Sequence, residues 1–175
     1  MMPLQILVQN LLYDISQTAI PWDNMDEEYL KTPREWDAPS IKRFMFYFGP
    51  CSSVFDVLTF AVMFFFFGAC TIGTMAMFHS GWFVEGLISQ TLIVHMIRTQ
   101  RLPFVQSRAA WPLTVMTLLV IVAGLIIPFT RFGEYIGLVP LPCAYFYFLA
   151  AIIFGYCLLT QVVKKIYIKK YGELL

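Results

Sequence analysis

The chain has 175 residues, of which 59% are hydrophobic and only 13% charged, with a formal net charge of +1. Soluble domains carry roughly 25% charged residues, so this much apolar surface calls for lipid as its solvent and excludes an ordinary soluble domain. The near-neutral balance offers no basic surface for nucleic acid, and the length amounts to one domain.

A helix crossing the hydrocarbon core needs about 20 mostly apolar residues. In chain order the sequence predicts five, at about 2–20, 50–72, 80–97, 111–129 and 141–163, which makes residues 1–175 a single all-α integral membrane domain. The first is the least hydrophobic, because Gln5, Gln9, Asn10, Asp14, Ser16 and Gln17 interrupt it. A central Asp alone costs about 2.5–3.5 kcal/mol on insertion, so this helix is expected to lean on its neighbours. Residues 21–43, which hold six acids, four cations and the prolines 21, 33 and 39, read as a short cytoplasmic loop. That stretch is too small for a nucleotide-binding domain and has no glycine-rich phosphate loop.

Gly49-Pro50, Gly81-Trp82, Trp111-Pro112 and Pro140-Leu141-Pro142 punctuate the later helices. Trp82, Trp111 and Tyr167 fall where an aromatic interface belt is expected. The runs Phe64 to Phe67 and Tyr145 to Phe148 are expected to face lipid or pack between helices. No Cys-x-x-Cys pair or metal-ligand spacing occurs among Cys51, Cys70, Cys143 and Cys157, although Cys70 and Cys143 map to the same side and are candidates to pair.

Positive loops are retained in the cytoplasm. Lys31, Arg34, Lys42 and Arg43 precede the second predicted helix; Arg98, Arg101 and Arg108 follow the third; Lys164, Lys165, Lys169 and Lys170 follow the fifth. Eleven of the twelve cations therefore fall on one side, Arg131 being the exception, if the chain crosses five times with its N-terminus outside and its C-terminus cytoplasmic. The first residues carry no basic n-region of a signal peptide, and the polar helix begins almost at Met1, as though the chain began partway through something longer.

Ionisable groups at membrane depth are costly, so each is a functional candidate. Counting from the helix ends at about 1.5 Å per residue places Asp14, Asp56 and Gln90 at one layer, some 10 to 12 Å from the cytoplasmic end. Asn10, Asp14 and Gln17 recur at helical spacing on one stripe of the first helix. Oxygen donors of this kind suit a hard cation such as Mg²⁺ or Ca²⁺ rather than zinc or copper. The metal candidates are Asn10 and Asp14 first, then Gln90, Asp56 and Gln17; no catalytic residue is assigned.

Each has a structural alternative. Asp14 with Asn10 is also a hydrogen-bonded pair that would hold helices together. Asp56 three residues after Ser53 is also a capping box near a helix N-terminus. Glu85 could reach headgroups at the outer face, His95 is a structural candidate one turn from Arg98, and the terminal lysines suit interfacial anchoring.

With Asn10-Leu-Leu-Tyr-Asp14 followed by Gln17-Thr-Ala-Ile-Pro21, the first helix resembles the sixth transmembrane helix of P-type cation ATPases. The resemblance continues through Phe48-Gly-Pro-Cys-Ser-Ser-Val-Phe-Asp56, Gly81-Trp-Phe, Ser89-Gln-Thr-Leu-Ile-Val-His-Met-Ile-Arg98-Thr and Leu159-Thr-Gln-Val-Val-Lys164, covers about residues 2–172, and is similar above all to the bacterial magnesium-transporting branch. It implies helices six to ten of a ten-helix pump in the bacterial inner (plasma) membrane, with Mg²⁺ as the transported ion. It further implies that Asn10 and Asp14 resemble cation ligands and that Gln90 stands where calcium pumps place a ligand acid. Tyr13 departs from the small hydroxyl residue found beside that Asp in calcium pumps, so a calcium-pump geometry is not implied.

The family's phosphorylation sequence Asp-Lys-Thr-Gly-Thr is missing, since Lys31-Thr32 follows Leu30. Phosphoryl transfer needs that nucleophile and a nucleotide site, so this chain alone should not hydrolyse ATP, which would act through the missing part of the pump. The expected partners are the lipid bilayer and the remaining half of a P-type ATPase or a full-length pump. The alternative is a non-catalytic membrane scaffold or regulatory subunit that associates with a full-length pump.

Overall fold

The computed structural model describes residues 1–24, 38–103 and 106–172, so most of the loop expected over 21–43 lies outside the described residues. These residues form an all-helical bundle: α1 Pro3–Gln17, α2 Ala38–Phe65, α3 Met75–Ile97, α4 Trp111–Ile126, the short α5 Arg131–Tyr135 and α6 Cys143–Tyr171, with no strand among them. Three stretches, Pro39–Phe65, Trp111–Phe129 and Cys143–Tyr171, are long and apolar enough to cross a membrane. This is the all-α membrane class that the composition required.

The helix ends follow from local chemistry. Proline opens α1 and α4, where its missing N–H would have no intrahelical partner. Thr130 caps α5 by accepting from the Gly133 amide at 3.1 Å. Gly172 ends α6 in the left-handed region at φ 85°, its amide returning to the Ile168 carbonyl at 2.7 Å. The second helix is longer than its apolar stretch: it starts at Ala38, so Pro50 lies inside it rather than at its entrance.

At the centre stands α3, which packs against α1, α2, α4 and α6. Ser80 and Gly81 are buried, as is every residue from Phe83 to Ser89, which is what a helix surrounded by others requires. The main core joins Phe83, Val84 and Ile88 of α3 to Met63 of α2 and to Tyr145 and Leu149 of α6. Two smaller clusters continue along α2 and α6, Phe55 with Tyr156 and then Phe48 with Tyr167. Tyr167, expected at an interface, is thus 1% exposed in the interior, whereas Trp111 is exposed. Phe64, Phe65 and Phe66 also point outward. Cys70 and Cys143 are both free, so the pairing that the sequence allowed is not made.

Candidate ion sites within the bundle

The helix α1 has two polar stripes with different fates. One is buried: Gln5, Gln9 and Ser16 are at most 3% exposed. Gln5 Oε1 accepts from the Met2 amide at 2.8 Å, and its Nε2 donates to the carbonyls of Ile136 at 3.0 Å and Gly137 at 3.1 Å. Gly137 has φ +79°, a conformation that a side chain would strain, so the loop that presents both carbonyls depends on glycine there. Gln9 lies on the backbone of α3 at Gly86, where a Cβ would come within 2.6 Å of its Nε2.

The other stripe faces outward. Asn10 and Asp14 are both exposed, among the exposed apolar residues Leu7, Leu11 and Ile15. Gln17 is half-buried. The structure therefore keeps Asn10 and Asp14 on one helical face, one turn apart, and leaves that face without a neighbour from the described residues.

Gln90 is half-buried on α3. It follows Gly86 by one turn and so shares the stripe that meets α1. The two helices run parallel, since Gln9 meets Gly86 while Asp23 beyond α1 meets Arg98 beyond α3. One turn on from both Gln9 and Gly86, Gln90 stands at the depth of Tyr13 and Asp14.

Asp56 sits on α2 and accepts a hydrogen bond from Trp82 Nε1 of α3 at 2.9 Å. Two expectations change with it. Asp56 is deep within a helix that starts at Ala38, so it caps no N-terminus. Trp82 is no interfacial anchor, because its indole bridges α2 and α3 and its ring meets Phe60 edge-on. Glu85 is likewise corrected: at 1% exposure it is enclosed between helices and reaches no headgroup.

The remaining polar groups tie helices together. His95 Nε2 bonds Thr117 Oγ1 at 2.8 Å, joining α3 to α4 in the structural role expected of it. Lys164, 1% exposed, donates from Nζ to the carbonyls of Met96, Thr99 and Arg101 at 2.9, 3.1 and 2.9 Å. Its ammonium thus satisfies the open carbonyls at the end of α3, where the helix dipole is negative. The expectation of a snorkelling lysine fails at this residue. The amides of Gln5 and Gln9 make contacts that the sequence signals only by their i, i+4 spacing on one stripe of α1.

Residues 1–166 match the family described as "Cation transporting ATPase, C-terminus". A protein named "Magnesium-transporting ATPase, P-type 1" from Salmonella typhimurium is 58% identical over 172 residues, which are 98% of this chain and 19% of that protein. A protein of the same name from Escherichia coli is 54% identical over 172 residues, again 98% of this chain and 19% of the relative. The chain therefore spans 19% of the length of these relatives.

Proposed function

This chain belongs to the family of cation-transporting ATPase C-termini, and on that premise we propose that it is the C-terminal membrane part of a magnesium-transporting P-type ATPase of the bacterial inner membrane. The observation that carries the reading is the 58% identity to a magnesium-transporting relative sustained over 98% of the chain. In this reading the helices cross five times, with Met1 outside and the lysine-rich end in the cytoplasm, as the distribution of cations favours.

Asn10 and Asp14 supply oxygen ligands to Mg²⁺, while Gln90 lies at the same depth on the α3 stripe that meets the buried side of α1. Their exposure on α1 supports a shared site, since a carboxylate on an otherwise apolar helix face is costly in lipid and calls for a partner surface. That surface is the remaining part of the pump, which also carries the nucleotide and phosphorylation chemistry. The contribution of this chain is to fix α1 against α3 and α4, so that the two ligands of α1 are held in register before the ion arrives.

Co-expression of this chain with the remaining part of such a pump, in a strain lacking magnesium transport, tests the proposal. Growth at low Mg²⁺ is expected to return, and Asp14→Ala is expected to remove it. Absence of any rescue by the unaltered chain, with both parts present in the membrane, overturns the reading; full rescue by Asp14→Ala removes Asp14 from the site.

A further inference from the structure

Asn10 and Asp14 lie on the exposed face of α1, where none of the described residues orients them. Their direction is set from the other side of the helix, by the buried stripe Gln5, Gln9 and Ser16. These three do different things. The Ser16 hydroxyl turns back to the Tyr13 carbonyl of its own helix at 2.6 Å. Gln9 rests on Gly86 and governs how closely α1 approaches α3. Gln5 is the one side chain of α1 that hydrogen-bonds another element among the described residues, its Nε2 held between the Ile136 and Gly137 carbonyls at 3.0 and 3.1 Å. Two directional bonds to fixed acceptors set the rotation of a helix as well as its depth, which an apolar contact does not.

The turn that receives Gln5 is itself firmly held. The Ile136 amide donates to the Phe132 carbonyl at 3.1 Å, Gly137 to Glu134 at 3.0 Å and Leu138 to Gly133 at 2.8 Å. Ile136 and Leu138, each 1% exposed, belong to the main core, and the Val139 amide donates to Ser80 Oγ of α3 at 2.8 Å. A Cβ at Gly137 would stand 2.3 Å from the end of the Met2 side chain and 3.5 Å from Gln5 Nε2. The turn after α5 thus refers the start of α1 to the core around α3.

Helical geometry carries this reference to the ligands. Nine residues at about 100° each bring Asp14 to the side of α1 opposite Gln5, about 13 Å further along the axis. A side-chain atom about 5 to 6 Å from the axis moves by about 1 Å when the helix turns by about 10°. Mg²⁺ demands near-ideal octahedral geometry, so ligands displaced by that much hold it less well.

We propose that Gln5 is a positioning residue of the ion site: through the Ile136 and Gly137 carbonyls it sets the rotation of α1, and with it the placement of Asn10 and Asp14. The turn after α5 thereby supports the site from a distance. This rests on the reading of Asn10 and Asp14 as Mg²⁺ ligands.

The test is the Mg²⁺ dependence of uptake by this chain co-expressed with the remaining part of the pump. Gln5→Glu keeps the length of the side chain but puts an oxygen where Nε2 donates. It is expected to raise the half-saturating Mg²⁺ at least about fivefold while the maximal rate per pump in the membrane is retained. Gly137→Ala, which disturbs the receiving turn, is expected to shift half-saturation in the same direction. Tyr135→Ala, at an 83% exposed position beside that turn, should leave it unchanged. Half-saturation does not depend on how much pump accumulates, so partial loss of folding does not imitate the shift. The proposal is overturned if Gln5→Glu and Gly137→Ala lower only the amount of pump or its maximal rate, or if Tyr135→Ala shifts half-saturation as much as they do. Full uptake with Asp14→Ala, or none with the unaltered chain, strikes the underlying reading and the proposal with it, a result distinct from normal uptake that is indifferent to Gln5.

Discussion

Arg98 donates from Nε to Asp23 Oδ2 at 2.5 Å, with the two side chains only 9% and 11% exposed. The other Asp23 oxygen accepts from the Ala110 amide at 2.7 Å, and the Arg98 guanidinium also donates to the carbonyls of Asn24 at 2.8 Å and Arg108 at 3.3 Å. One ion pair thus locks the exit of α1, the end of α3 and the start of α4 together. Removing one partner of a buried pair costs about 3–5 kcal/mol, because the other charge is left stranded. Arg98→Met is therefore expected to lower unfolding stability in detergent by about that amount, and adding Asp23→Asn should recover part of the loss rather than add to it.

Lys164 makes a comparable clamp at the same end of α3. Lys164→Met keeps the stem but leaves three carbonyls unpaired, and hydrogen bonds to a charged group contribute about 1.5–3 kcal/mol. A stability loss of at least about 2 kcal/mol is expected by denaturant titration. Amide exchange should rise around Thr99, well away from the substituted helix. An unchanged exchange pattern there would separate Lys164 from the end of α3.

Gln5 performs the matching task at the opposite end. Gln5→Leu removes the donor to the Ile136 and Gly137 carbonyls, for an expected loss of about 1–3 kcal/mol. Gly137→Ala should be destabilising by a separate route, since alanine must enter the left-handed region at that position. Thermal unfolding of the two single variants should show both losses.

Asp14 is predicted to behave in the opposite way. It is exposed and bonds nothing that the bundle needs, so Asp14→Ala should change the stability of the isolated chain by less than about 0.5 kcal/mol. The same substitution should abolish rescue of magnesium uptake. A variant silent in unfolding and severe in transport marks a ligand; equal effects in both would mark a packing residue.

Gly86 sets the approach of α1 to α3. Gly86→Ala meets only the end of the Gln9 side chain, which can shift, and should be mild. Gly86→Leu overfills the contact at a cost of about 1–3 kcal/mol and should impair transport by displacing α1 from Gln90.

The membrane class and the helical identity of the chain were legible because composition and the length of apolar runs report directly on the solvent. Asn10 and Asp14 could be singled out because a carboxylate in an apolar helix is conspicuous. Sequence could not say which side of a helix meets which neighbour. Asp56 and Gln90 look alike when depth is counted along the chain, yet Asp56 is taken up by the Trp82 indole across the α2–α3 contact, which only packing reveals. Glu85 was misplaced for the same reason: nearness to a helix end in sequence does not reveal that three helices enclose it. A lysine at the end of an apolar helix reads as an interfacial anchor, and only the packing of α6 against the end of α3 shows that Lys164 shares the buried stripe of Thr160.

Pro50 has no N–H to offer the Phe46 carbonyl, so the backbone ladder of α2 is broken within its first half. The turns ahead of it are joined to the rest of the helix by one hydrogen bond fewer. What holds them is a clasp of rings, with Phe44 stacked on Phe48 at 4.3 Å and Tyr47 edge-on to Tyr167 at 5.4 Å. The turns of α2 ahead of Pro50 thus take part of their support from tyrosines on α6, more than a hundred residues away in sequence, and α6 serves as a splint across the gap in the helix's own hydrogen bonds.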